Sequence, residues 1–330
     1  MTRRRREAFY SLAVLAVFLF GAEMIARRAW DPPGVPRGDD LFRYAADREL
    51  LYEYRPGWQG ERVLGGCKGA HRINGQGLPA DHDYATSKPP GVVRIASLGD
   101  SVAFLSPGKN YATLLQERFD ASPVSGRRVE VLDFSVVGYN SLQERIVLRD
   151  KVPGFEPDFV VLGYCWNDDY PAAAFVSAAR HPASLGGITH SRLATFLEQR
   201  WDGYRARRAV KKPWSRERAA VAGLFDDLAA AKRERGVGVV VLVFPVLVGE
   251  LNAPPRIGTA IAAARRDGLD VLEPRDLFGD APAERLAISP DDQIHMSELA
   301  HRLVAERVFE WVTRRARAPR EEPSPARPAK

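Results

Sequence analysis

The 330-residue chain is 45% apolar and 27% charged, a globular composition that excludes collagen, coiled coil or disorder as the whole answer. Two cysteines exclude a disulfide-rich scaffold. The net charge of +6 belongs to the ends: residues 1–30 carry six arginines against two glutamates, residues 314–330 six Arg or Lys against two, and the middle is left near −2. The body therefore has no basic excess for a phosphate backbone, and no nucleic-acid partner is expected.

Four arginines, Arg3 to Arg6, precede an apolar run from Ala8 to Ala22, which reaches Ala26 if Glu23 is tolerated. Ala8–Ala26 has 19 residues, within the roughly 17–25 that a spanning helix needs. The run ends at Met24-Ile25-Ala26 followed by Arg27 and Arg28, a poor cleavage site, so a transmembrane signal anchor is favoured over a cleaved signal peptide or a buried helix. The heavier positive flank comes first. This predicts the N-terminus inside and the body outside the cytoplasm, periplasmic or extracytoplasmic.

Residues 31–90 are rich in Pro and Gly without helical period and read as an extracytoplasmic linker and preamble packed on the domain that follows. From residue 91 short apolar runs alternate with helical periods, the pattern of an α/β fold with a parallel sheet. Strands are predicted at Val92–Leu98, Val129–Phe134, Phe159–Tyr164, Val237–Phe244 and Leu269–Leu272. The fourth is the most apolar and is expected at the sheet centre. Helices are predicted at Tyr111–Phe119, at Ser141–Lys151 with Asn140 or Ser141 as cap, at 216–235, at Ile257–Asp267 and at Ser297–Arg315. Leu299, Leu303, Val308 and Trp311 form the inward face of the last. Residues 170–214, with Arg192, Phe196, Arg200 and Trp201 among them, interrupt the alternation. They read as a solvated helical excursion, or as a lid or membrane-surface patch. The tail 316–330 has no periodic apolar residue and is expected to be disordered.

Four short blocks carry candidate chemistry. Gly99-Asp100-Ser101 follows the first strand, where a parallel sheet exposes its ligand-binding edge. A serine there can be a nucleophile, although all three are also turn residues. Near the end, Asp292 and His295 stand three apart. That spacing lets a carboxylate hold the imidazole Nδ1–H and free Nε2 to take a serine proton, whereas a surface pair is the plain alternative. Asp291 competes at the less favoured spacing of four. Gly138 and Asn167 follow the second and third strands, where a backbone N–H and a side-chain amide could donate to an oxyanion. A turn glycine and helix capping are their structural readings. His71, His82, His181, His190 and His301 form no ligand pair with His295, so no metal and no cofactor is expected. Glu298 and His301 read as helix surface. Cys67 and Cys165 could pair, but two separate buried thiols are favoured.

Together the four blocks, over roughly residues 91–312, resemble the SGNH hydrolase superfamily of GDSL-type esterases. The lead-in RINGQGLPADHDYATSKPPGVVRIASLGDS is similar to that of membrane-anchored bacterial members. The resemblance implies a three-layer α/β/α fold with a five-stranded, flavodoxin-like parallel sheet behind an N-terminal transmembrane helix. It implies Ser101 as nucleophile, His295 as general base and Asp292 as the residue that orients it. Backbone N–H groups of Ser101 and Gly138 and the side chain of Asn167 would form the oxyanion hole. The chain departs from the pattern at Cys165, Asp133 and Ala300, where Gly, Asn and Gly are usual, and the first of these bears on Asn167. The implied activity is a serine ester hydrolase acting on small-molecule or polymer esters of the cell envelope, polysaccharides or lipids. An O-acyltransferase acting on a glycan and a non-catalytic polysaccharide-binding module are the alternatives.

Overall fold

A computed structural model describes residues 3–29, 41–47, 49–64, 67–169, 191–194, 196, 197, 200, 215–247 and 255–317. Most of the excursion 170–214 and tail residues 318–330 lie outside the described residues. The chain divides into two compact units, one of Met1–Tyr52 with Ala172–Pro213 and one of Glu53–Pro171 with Trp214–Lys330.

The first unit contains helix α1, Arg3–Ala29, and strand β1, Phe42–Tyr44. By length and composition α1 can cross a membrane, and none of its residues is buried. Its apolar stretch continues a full helix because Leu, Ala and Phe recur without Pro and with a single Gly.

The second unit is built on a parallel sheet of β5 (Val92–Leu98), β6 (Arg128–Asp133), β7 (Phe159–Tyr164), β8 (Gly238–Val243) and β9 (Asp270–Leu272), ordered β6-β5-β7-β8-β9. All four pairings are parallel. Helices cover both faces, so β5 and β7 are buried at every position. The sequence therefore shows continuous apolar runs rather than alternation. The valine-rich β8 is an interior strand, but β7 is the middle one. Interior strands are desolvated alike, so apolar content does not rank them.

Helices α2 (Ser101–Phe104), α3 (Tyr111–Ala121), α4 (Ser141–Asp150), α5 (Ser215–Arg235) and α6 (Pro255–Arg266) connect the strands. Asn140 caps α4 in a reciprocal capping box with Gln143. Short helices α7 (Pro274–Phe278) and α8 (Ala283–Leu286) lead to the antiparallel hairpin β10 (Ala287–Ser289) and β11 (Asp292–Met296), then to α9 (Glu298–Arg317). The inward stripe of α9 is Ala300, His301, Val304, Val308, Trp311 and Val312, rotated from the predicted face. Leu299 and Leu303 lie half-buried at its flank.

The preamble is more ordered than its composition suggests. It holds β2 (Tyr52–Tyr54) and a regular antiparallel hairpin of β3 (Gln59–Leu64) and β4 (Cys67–Arg72), and it buries Tyr54, Ile73, Leu78 and Tyr84. Its Pro and Gly mark turns between strands too short to show a period. Arg94, fully buried on β5, pins it in place. The guanidinium donates from Nε to Glu130 (2.8 Å) and to the carbonyls of Ala85, Thr86 and Phe155. Three chain segments thus share one buried charge whose donors are satisfied.

Candidate active site

The C-terminal ends of β5, β6 and β7 converge where the strand order reverses, the edge at which open α/β sheets bind ligands. At the end of β5 the chain turns into the single turn of α2. A Cβ on Gly99 would come within 2.6 Å of the Ala103 Cβ, so only glycine lets strand and helix approach this closely. Asp100 caps the helix, its Oδ1 accepting from the Val102 N–H at 2.8 Å. Ser101 is the first helical residue, a position whose N–H lacks an intrahelical acceptor.

His295 arrives from the far end of the sequence. It stands with Asp292 on β11, just before the final helix. The Leu247 N–H donates to the Gln293 carbonyl (2.7 Å), which fastens this hairpin beside the end of β8. His295 Nε2 lies 3.0 Å from Ser101 Oγ, and His295 Nδ1 lies 2.7 Å from Asp292 Oδ2. Asp292 Oδ1 meanwhile accepts from the N–H groups of Ile294 and His295, at 3.1 and 3.0 Å. Burial opposes ionisation of Asp292. The hydrogen bonds from the backbone and ring of His295 and from Ile294 outweigh it and hold the carboxyl below its usual range. A carboxylate kept ionised against Nδ1 fixes the Nδ1–H tautomer and leaves Nε2 as acceptor for the serine hydroxyl. Asp291 has no such bond to the ring among the described residues.

The other two predicted residues occupy the neighbouring strand ends. Val136–Tyr139 forms a turn closed by the Tyr139 N–H on the Val136 carbonyl (3.1 Å), with Gly138 at its third position and φ of 82°. That left-handed conformation is the reason glycine stands there. Asn167, buried after β7, has both ends of its amide engaged. Nδ2 donates to Asp100 Oδ2 (2.7 Å), and Oδ1 accepts from the Cys165 thiol. The cysteine in the usual glycine position therefore orients the amide instead of displacing it. Asp100 Oδ2 also lies 3.5 Å from Ser101 Oγ, so one carboxylate oxygen joins the Asn167 amide to the neighbourhood of the serine. The second Nδ2 hydrogen has no acceptor among the described residues. Asp133, where Asn is usual, accepts from Asn110 Nδ2 (3.0 Å) and the Ser135 N–H (2.9 Å), and burial raises its pKa to about 6.

The burial of the acids around the site and the packing beside it give no sequence signal. Beneath the site, Asp100, Glu144, Asp168 and Cys165 are all buried. Burial raises the pKa of Glu144, aided by the nearby charge of Asp100. Burial also raises Asp168, aided by Glu144 and Asp100. Asp168 Oδ2 accepts from the Cys165 N–H, whereas neither Glu144 oxygen has a hydrogen-bond partner among the described residues. Desolvation and the missing hydrogen bonds both disfavour the ionised form of Glu144. On the preamble side, Phe104 of α2 packs against Tyr54 and His71, with ring centroids 5.5 and 5.6 Å away. Residues of the linker and preamble thus touch the helix that carries Ser101. Only their packing, not their spacing, could reveal this.

His301 is buried rather than on the helix surface. Its Nε2–H donates to the Leu105 carbonyl (2.8 Å) and its Nδ1 accepts from the Tyr111 N–H (3.2 Å). Burial lowers its pKa to about 4. It therefore supports the loop after α2 as a neutral core residue. Cys67 and Cys165 are separate, buried free thiols. No group of three or more His, Cys, Asp or Glu among the described residues is arranged to hold a metal ion.

No known family profile matches the chain, and no curated protein matches it. Solved structures do align with it. A lipase/acylhydrolase from Enterococcus faecalis is 17% identical, covering 71% of this chain and 100% of its own, with a TM-score of 0.42. An acetylxylan esterase from Geobacillus stearothermophilus is 13% identical over 66% of this chain and 93% of its own, with a TM-score of 0.42. A two-domain esterase active on acetylated mannans is 17% identical over 72% of this chain and 53% of its own, with a TM-score of 0.43.

Proposed function

We propose that this chain is a serine-dependent ester hydrolase of the SGNH type, held by α1 in a membrane with its second unit outside the cytoplasm. The observation that carries the reading is the series Asp292 Oδ2 to His295 Nδ1 to His295 Nε2 to Ser101 Oγ, with steps of 2.7 and 3.0 Å. A hydroxyl, an imidazole and a carboxylate from distant parts of the chain meet at a strand edge, and a turn alone does not require that arrangement.

The chemistry follows from the geometry. His295 Nε2 takes the Ser101 proton as Oγ attacks the ester carbonyl carbon, and the carbonyl π electrons move to oxygen. The Ser101 and Gly138 N–H groups and the Asn167 amide donate to that oxyanion. The imidazolium, stabilised by Asp292, returns its proton to the departing alkoxide. Water then repeats the attack on the acyl-serine and releases the acid. The placement of the second unit rests on Arg3–Arg6 as the heavier positive flank. That location makes esters of the cell envelope or its polysaccharides the expected substrate class.

Ser101→Ala tests the reading with a fluorophosphonate probe on the purified chain. The wild type is expected to label at one serine and hydrolyse short acyl esters, and the folded variant to do neither. Persistent labelling of folded Ser101→Ala rejects Ser101 as nucleophile.

A further inference from the structure

Glu23 is the one ionisable group between the apolar stretch Ala8–Ala22 and the arginines that follow it. Its carboxylate is fully used. It accepts from Arg27 Nε (2.7 Å), Ser191 Oγ (2.8 Å), and the N–H groups of Arg192 (3.0 Å) and Leu193 (2.9 Å). Ser191 Oγ in turn accepts from the Ala194 N–H (3.1 Å). Residues 192–194, 196, 197 and 200 are helical. The anchor helix thus supplies the anion that closes the N-terminus of a second helical segment, alongside that segment's own serine cap.

The surface chemistry of this first unit is distinctive. Among the described residues, every exposed large apolar side chain lies on α1 except Leu197, which is 58% exposed and belongs to the segment docked on Glu23. Arg200 of the same segment lies over the Phe196 ring, 5.2 Å from its centroid. An apolar contact, an aromatic ring and basic ends suit the boundary between acyl chains and anionic headgroups. Glu23 lies in the last turn of the span Ala8–Ala26, so whatever it binds lies near the edge of the hydrocarbon layer, on the Arg27 and Arg28 side.

We propose that residues 191–194, 196, 197 and 200 form a second membrane contact, resting at the lipid interface with Leu197 toward the acyl chains and moored to the anchor by Glu23. The proposal rests on α1 spanning a bilayer, as the function above also assumes. It gives a physical reason for an acid at the end of an apolar helix, and it makes part of the excursion a membrane-bound element rather than a solvated one. The occupant is a bilayer with anionic headgroups.

The test uses the full chain in nanodiscs of mixed zwitterionic and anionic lipid, with and without bromine on the acyl chains. A bimane label is placed at Leu197→Cys, at Val17→Cys within the span, and at Asp280→Cys on the exposed second unit. Unsubstituted protein gives the background, since Cys67 and Cys165 are buried. Brominated lipid is expected to quench the labels at positions 197 and 17 and spare the one at 280. Adding Glu23→Leu, which removes the acceptor yet keeps the span apolar, is expected to abolish quenching at 197 and leave it at 17. An unquenched label at 197 beside a quenched one at 17 overturns the proposal alone. Loss of quenching at both overturns the spanning reading with it. Quenching at 197 that survives Glu23→Leu removes Glu23 as the mooring. Disulfide-linked dimers of Leu197→Cys without lipid quenching assign this face to a second copy of the chain.

Discussion

Replacing Asp292 by Asn tests the series at its least reactive member. In the native site Asp292 Oδ1 accepts from two backbone N–H groups, and Oδ2 faces the Nδ1–H of His295. An asparagine cannot turn its NH2 toward the Ile294 and His295 N–H groups, because donors would face donors. Its carbonyl oxygen must therefore stay on the backbone, and its NH2 must face Nδ1. That stabilises the Nε2–H tautomer, so the ring presents a donor to Ser101 and cannot accept its proton. The same substitution in the serine-protease triad lowers kcat by about 10⁴, close to 5.5 kcal/mol of barrier. A loss of that size is expected here. Both side chains are partly exposed, so the folded state should change little. The assay is kcat on a short acyl ester, with the thermal midpoint measured alongside. Asp291→Asn serves as the comparison and should act like wild type. A folded Asp292→Asn enzyme within tenfold of wild type would refute the argument.

Asn167→Ala should lower kcat by about 10²–10³ through loss of one oxyanion donor. Cys165→Ala should lower it about two- to tenfold, the value of one ordinary hydrogen bond, with Cys165→Ser restoring it; equal rates for all three cysteine-site forms would show that the thiol does not position the amide. Arg94→Met removes the buried partner of Glu130, leaving it only the exposed Arg128, and urea unfolding should show a loss of about 3–5 kcal/mol. Glu144→Gln mimics the neutral acid. The folded pKa of Glu144 is raised, so its contribution is complete below the unfolded value of 4.5 and is lost as pH rises above it. The variant should therefore match wild type near pH 4 and exceed it in stability at pH 8; a variant weaker at pH 8 would mean that the native carboxyl is ionised and paired.

Local patterns on the chain were enough for the sheet and for the candidate groups at its edge. The runs at Val92–Leu98 and Phe159–Tyr164 are continuous because parallel strands are covered on both faces, and the structure reproduces both ranges. Serine, glycine and asparagine at strand ends, and Asp292 three residues before His295, are short-range signals, and they survive in a single sequence. Tertiary structure alone decided how these groups meet. Ser101 and His295 are 194 residues apart, and the hairpin that delivers His295 has no marked period. The aromatic packing of Tyr54, Phe104 and His71 and the inward turn of His301 depend on burial, which spacing does not report. The role of Cys165 needed the same step. A thiol in a glycine position says nothing until the direction of the neighbouring amide is known, because a hydrogen bond is a property of two orientations and not of two residue names.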